Sequence, residues 1–145
     1  MKGAAGRLGA RRESREKVFQ TLYMMEALGI GPDEAIPRFA LVATPPPDPA
    51  YYRSTLEGVW THRDEIDGLI GGAAEHWRVE RMTMVDRAIL RLGAFEIVRT
   101  PDVPYAVAIN EAVDLAKRFG GEESGAFVNG ILDRISELVG RKGRP

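Results

Sequence analysis

The sequence contains no cysteine and only two histidines, His62 and His76. The missing thiols exclude disulfides, thiol catalysis and zinc sites with sulfur ligands, and two histidines are too few for a histidine-rich metal site. No apolar run reaches the roughly 18 residues that a membrane span needs, and the first residues lack the apolar stretch of a secretory signal. We therefore expect a cytoplasmic protein that binds no metal, cofactor or membrane.

Strand-like alternation of apolar and polar residues is also missing, and helical spacing takes its place. Val18, Leu22 and Met25, for example, recur at i, i+4 and i+7, which is typical of one helix face. The fold class predicted from such spacing is all-α, a single-domain bundle of about seven helices over residues 11–139, with a flexible basic arm at 1–10 and a basic tail at 140–145. The approximate helix ranges are 11–28, 31–43, 50–61, 62–75, 82–98, 105–119 and a last helix that ends near 139.

The sequence shows no arrangement of groups that would support catalysis. Ser14 and Lys17 form an S-x-x-K pattern, but the further motifs and the much longer chain of penicillin-recognising enzymes are lacking. The glycine-rich residues 120–125 lack the lysine of a phosphate-binding loop, and their two carboxylates would repel phosphate. We expect a protein that acts by binding and has no enzymatic activity.

Basic residues are concentrated at the two ends of the chain. Six lie within residues 1–17 and three within 140–145. Because the whole chain has a formal net charge of −1, the part between these ends is net acidic. This distribution favours a local basic contact on an acidic protein, not a face that binds polyanions in general.

The arginines near the first end lie on one side of the predicted first helix. Arg11, Arg12 and Arg15 fall within about 100° of one another on a helical wheel, and Tyr23 continues that side. Arginine makes bidentate contacts with phosphate, and an exposed aromatic ring can stack on an unpaired base. The residues are compatible with RNA binding, but taken alone they are explained more simply by a solvated first turn that binds nothing.

Several longer strings of residues resemble the NusB family of transcription antitermination factors. The resemblance extends from about residue 11 to residue 139. It is carried by Arg11-Arg12-x-x-Arg15-Glu16, Gln20-x-Leu22-Tyr23, Val85-Asp86-Arg87-Ala88-Ile89-Leu90-Arg91-Leu92-x-x-x-Glu96, Val107-Ala108-Ile109-Asn110-Glu111-Ala112 and Phe127-Val128-Asn129-Gly130-Ile131-Leu132-Asp133.

This resemblance implies an all-helical protein that binds the single-stranded boxA element of nascent ribosomal RNA. In that family the protein pairs with NusE, a small-subunit ribosomal protein, and the two join an antitermination complex on RNA polymerase. The residues that the basic cluster and the resemblance together assign to RNA binding are Lys2, Arg7, Arg11, Arg12, Arg15, Tyr23 and Phe127. The acidic positions that face NusE in the family correspond to Glu80 and Asp86.

Two departures from the family pattern and three alternatives stay open at this point. Glu13 interrupts an arginine run that some members carry unbroken, and Glu123 stands where aspartate is frequent, so RNA affinity without NusE is expected to be weak. The first alternative is a NusB-like appendage of a ribosomal-RNA cytosine methyltransferase, which needs several hundred further residues and a glycine motif for its cofactor. The others are a purely protein–protein adaptor and a homodimer that buries the arginine surface.

Overall fold

The computed structural model describes residues 4–142, apart from the side chains of residues 4, 5 and 7. The described residues form seven α-helices, one 3₁₀ turn and no strand, which confirms the predicted all-α fold. The helices are α1 (Ala4–Leu28), α2 (Pro32–Ala40), α3 (Pro49–Thr61), α4 (Arg63–Ala73), α5 (Met84–Arg99), α6 (Tyr105–Phe119) and α7 (Glu122–Leu138), and the 3₁₀ turn spans Val79–Arg81.

The helices group into two compact units, of which the first ends at Thr61 and the second begins at His62. In the first unit α1 packs against α2 and α3. Helix α1 begins at Ala4, seven residues before the predicted start; the alanines and Leu8 favour a helix there, whereas Gly6 and Gly9 do not. The helix stops at Gly29, whose φ of 66° suits glycine.

The proline-rich connector between α2 and α3 is non-helical, as predicted, and fixes where α3 begins. The backbone N–H of Asp48 donates to Ser14 Oγ on α1 at 2.8 Å. The side chain of Asp48 in turn accepts the N–H of Tyr51 at 3.1 Å. Further along, Thr21 Oγ1 and the buried Tyr52 hydroxyl share a 2.7 Å hydrogen bond. These contacts hold the first turn of α3 against the middle of α1.

Helix α5 is the centre of the second unit. It packs against α4, α6 and α7, and most of its residues are buried. Gly93 permits the close approach of α7, because a Cβ added at this position would lie 2.6 Å from Leu132 Cδ1. Helix α7 begins after Gly121, whose φ of 100° ends the preceding segment as the sequence indicates.

The first residues after α7 pack back onto the second unit. Arg141 Nη1 donates to the carbonyl of Ile97 at 2.8 Å, and Nη2 donates to that of Val103 at 3.0 Å. Lys142 Nζ lies 3.1 Å from carboxylates of both Asp133 and Glu137. The described part of the basic tail is therefore engaged within the fold. None of the helices described is long and apolar enough to cross a membrane.

Candidate RNA and partner surfaces

The three predicted arginines of α1 have different environments. Arg12 is exposed, Arg11 is half-buried and Arg15 is only 4% exposed. The guanidinium carbons of Arg11 and Arg15 lie 4.9 and 5.4 Å from the centroid of the Tyr51 ring. At this distance the cations are attracted by the ring face. Arg12 is therefore the exposed one of the three, whereas Arg15 is held against an aromatic ring.

The first turn of α3 supplies the ring that holds these arginines. Tyr51 is buried, and the connector contacts through Asp48 and Ser14 set its position. Lys17, one turn after Arg15, is also mostly buried and donates to Thr44 Oγ1 at 2.9 Å. Of the basic side chains described on α1, Arg12 is thus the one classed as exposed.

Tyr23 lies further along α1 and is 40% exposed. It follows Arg12 by about three turns and so lies on nearly the same side of the helix. An exposed arginine and an exposed tyrosine along one side of a helix can contact a phosphate and an unpaired base of the same strand. The predicted residue Lys2 and the side chain of Arg7 lie outside the described residues.

The predicted aromatic residue of the second unit, Phe127, is half-buried on α7. Its ring meets that of Trp77 edge to face, with centroids 6.2 Å apart and planes at 84°. Trp77 follows α4 and is 58% exposed. The two rings line an open cleft of about 480 Å³ together with His76, Ile131 and other residues of α4 and α7.

The two predicted acidic residues lie on either side of the start of α5. Glu80 is exposed in the 3₁₀ turn. Asp86 lies in the first turn of α5, where Thr83 caps the helix by accepting the Asp86 N–H at 3.1 Å. The Asp86 side chain is 8% exposed, and its Oδ1 has no hydrogen-bond partner among the described residues. That oxygen is itself buried, so a donor from a partner reaches it only if the groups that cover it move.

Arg87 connects the 3₁₀ turn to α5. Its Nη1 donates to the carbonyls of Met82, Val79 and Glu80, at 2.7, 3.0 and 3.3 Å respectively. Because a guanidinium is planar and rigid, these contacts fix the backbone that carries Glu80 relative to the helix that carries Asp86.

The sequence did not predict the roles of Tyr51, Arg87 and Trp77. Tyr51 and Arg87 act through contacts that no local pattern announces. A signal did exist for Trp77, since a large aromatic residue flanked by charged and polar neighbours is frequently exposed. Across the described residues, no group of three or more acidic or histidine side chains is placed to hold a metal ion.

Comparison with known proteins agrees with this architecture. The model of the NusB family matches residues 12–137. The transcription antitermination protein NusB of Myxococcus xanthus is 46% identical over 139 residues, which cover 92% of this chain and 99% of that protein. Among solved structures, T. maritima NusB is 35% identical with a TM-score of 0.76, over 88% of this chain and 90% of that one.

A second solved structure contains partners. It is a crystal structure of the antitermination factors NusB and NusE in complex with dsRNA, and its matching chain is 26% identical to this one. The TM-score is 0.80, and the match covers 89% of this chain and 97% of that chain. The length of the family match and the identity to its members lead to one conclusion: this chain belongs to the NusB family.

Proposed function

We propose that this protein is a transcription antitermination factor that binds the boxA element of nascent ribosomal RNA together with NusE. The pair then joins the antitermination complex on RNA polymerase in the cytoplasm, and the protein acts by binding without catalysis. The observation that carries the proposal is the side of α1 on which Arg12 and Tyr23 are both exposed. The naming of a 46% identical relative as an antitermination protein supports it.

Within this proposal the residues of α1 have separate tasks. Arg12 contacts phosphate directly, and Arg11, half-buried beside Tyr51, adds positive charge next to it. Arg15 is a positioning residue, because its guanidinium is buried against the same ring. Tyr23 stacks on an unpaired base, as does Phe127 in the second unit. Lys2 and Arg7 are proposed to contact further phosphates of the RNA.

The acidic pair at the start of α5 is proposed to bind NusE. Glu80 is exposed and steers a basic protein toward this surface. Asp86 adds a second carboxylate to this surface, and its buried Oδ1 accepts a hydrogen bond once docking displaces the groups that cover it. The net acidic charge between the two ends of the chain favours a basic protein at this surface over RNA.

The experiment for RNA binding is a titration of single-stranded boxA RNA with this protein, with NusE, and with both. We expect the tightest binding with both proteins, and weaker binding for an RNA of scrambled sequence, because phosphate contacts alone do not depend on sequence. If three or four phosphates are contacted, the slope of log K against log salt is about −2 to −3 for a single strand. Equal affinity for the scrambled RNA, or binding that is independent of salt, would overturn the proposal.

The experiment for the NusE surface reverses the exposed charge. Glu80→Lys is expected to slow association with NusE severalfold at low salt, because the long-range attraction is removed. Glu57→Lys, which reverses an exposed carboxylate of α3, is the control and is expected to leave the rate within about twofold. The rates are measured on a biosensor at two salt concentrations. Equal rates for both variants would place the NusE contact elsewhere.

A further inference from the structure

Trp77 is a large exposed aromatic side chain to which the resemblance assigns no role. It lies between the end of α4 and the 3₁₀ turn and is 58% exposed. A single exposed apolar residue needs no explanation. Trp77, however, is not isolated, since it meets Phe127 of α7, and the two rings line one cleft.

The contact with Phe127 orients the indole without covering it. The rings pack edge to face at 84°, an arrangement that aromatic quadrupoles favour. Because Phe127 is half-buried on a regular helix, it provides a fixed surface against which Trp77 rests. More than half of Trp77 nevertheless remains accessible. A ring held in this way loses little conformational freedom when a planar ligand stacks on it.

The charges around the cleft nearly balance. Arg134 lines it, and its guanidinium lies 3.5 Å from Glu137 of the same helix. Glu75 and His76 also line the cleft, and Arg78 follows in the chain. With basic and acidic groups both present, the cleft has no strong attraction for a chain of phosphates. What it offers a ligand is aromatic surface.

We propose that Trp77 is a stacking surface for one unpaired base of the bound RNA, oriented by Phe127; this inference rests on the RNA binding proposed above. Stacking suits the site because every base has a π-face and needs no charge opposite it. The volume of about 480 Å³ lies within the range of about 300–1,000 Å³ typical of clefts that take organic ligands. The cleft also includes Phe127 itself, so the surface is continuous with the predicted RNA contact.

The first test measures boxA RNA affinity at saturating NusE for three variants. Trp77→Ala is expected to weaken binding about tenfold, a typical effect of removing one base–aromatic contact. Trp77→Phe, which keeps a ring, is expected to recover most of that loss. Leu138→Ala removes a similarly exposed side chain from α7 and is expected to change nothing. Thermal melts of Trp77→Phe and Leu138→Ala are expected to match the wild type. Trp77→Ala loses the edge-to-face contact with Phe127 and is expected to melt slightly lower, so affinities are compared at a temperature at which all variants are folded.

The second test identifies the base by placing single abasic nucleotides along the boxA RNA. An abasic nucleotide at one position is expected to weaken binding to the wild type about tenfold. The same abasic RNA is expected to bind Trp77→Ala almost as tightly as the intact RNA does, since the two changes remove the same contact. The effect of Trp77→Ala is also expected to be the same at low and high salt, unlike that of Arg12→Ala.

The outcomes separate this inference from the proposed function. If the wild type with NusE does not bind boxA RNA, both are overturned. If it binds, but Trp77→Ala retains full affinity or no abasic position is coupled to it, only the stacking role is overturned. Weaker NusE binding by Trp77→Ala with unchanged RNA affinity would make the cleft a protein contact and overturn the inference as well.

Discussion

The two basic ends of the chain look alike in sequence and differ in structure. Near the first end, Arg12 is exposed on α1. Near the last, Arg141 directs both terminal nitrogens to backbone carbonyls, and Lys142 is shared between two carboxylates. One end keeps an exposed arginine, while the described part of the other uses its positive charge to close the fold.

The difference teaches that the number of charges does not reveal their use. Carbonyl groups in the last turn of a helix have no hydrogen-bond donor within that helix. A cation that donates to such carbonyls replaces water there and stabilises the folded state. A cation held exposed on a helix contributes little to stability and is available to phosphate. Substitutions that remove one cation at a time distinguish these two uses.

The largest effect is expected for Arg141→Ala. The change removes two charge-assisted hydrogen bonds and leaves the carbonyls of Ile97 and Val103 without these donors, which costs about 2–3 kcal/mol in unfolding free energy. Urea denaturation measures the loss. RNA affinity of the folded protein is expected to stay at the wild-type value. Lys142→Ala, a neighbour whose ion pairs are exposed, is the control and should barely move the midpoint. A reversed order of the two variants would contradict the comparison.

Arg15→Ala is expected to have the second-largest effect and to change both the stability of the fold and the affinity for RNA. Its guanidinium is buried over Tyr51, and a desolvated cation–π contact contributes about 2 kcal/mol. We therefore expect lower stability together with a modest loss of RNA affinity, because the neighbouring part of α1 loses its support. Tyr51→Phe retains the ring and is expected to preserve most of the stability. A loss of RNA affinity with unchanged stability would show that Arg15 contacts RNA directly.

Arg12→Ala is expected to change RNA binding alone. One phosphate contact fewer flattens the slope of log K against log salt by about 0.7 for a single strand. The urea midpoint should not move, because the side chain is exposed. Arg38→Ala, which removes an exposed arginine from α2 in the same unit, is expected to leave both quantities unchanged. An identical slope for Arg12→Ala and the wild type would remove Arg12 from the RNA surface.

The smallest effect is expected for an exposed ion pair that belongs neither to the basic tail nor to the proposed RNA surface. Arg99 binds Glu65 through two hydrogen bonds of 3.0 and 2.8 Å, and hydrogen bonding to this guanidinium lowers the pKa of Glu65 below its usual 4.5. The stabilisation is therefore present above the unfolded-state pKa and is lost as the pH falls through the lower folded-state pKa. Urea midpoints of the wild type and Glu65→Gln should differ slightly at neutral pH and converge as the pH falls below the usual pKa of glutamate. A constant difference would exclude this ion pair as its source.

The helices were predictable from the sequence where apolar residues recur at helical spacing. Helix α6 begins and ends at the predicted residues, since Pro104 and Gly120 mark both ends. The early start of α1 was not predictable, because Gly6 and Gly9 disfavour a helix over residues 4–10. The 3₁₀ turn is too short to show any period.

The site was predictable only as a set of residue types. A helical wheel places Arg15 beside Arg12, but its burial depends on Tyr51, which lies 36 positions further along the chain. The contact of Trp77 with Phe127 likewise joins residues 50 positions apart. A wheel describes one helix in isolation, so contacts that depend on how helices pack lie outside what it can predict.

The Arg87 contacts have a kinetic consequence for the surface that carries Glu80 and Asp86. Because one guanidinium nitrogen holds three carbonyls around the 3₁₀ turn, the turn is already ordered before any partner arrives. A partner that docks there loses little entropy to loop ordering, so its encounter rate is governed by diffusion and charge. Arg87→Lys replaces a planar guanidinium with a single ammonium and should weaken the turn. A partner would then meet a segment that has to become ordered as it binds.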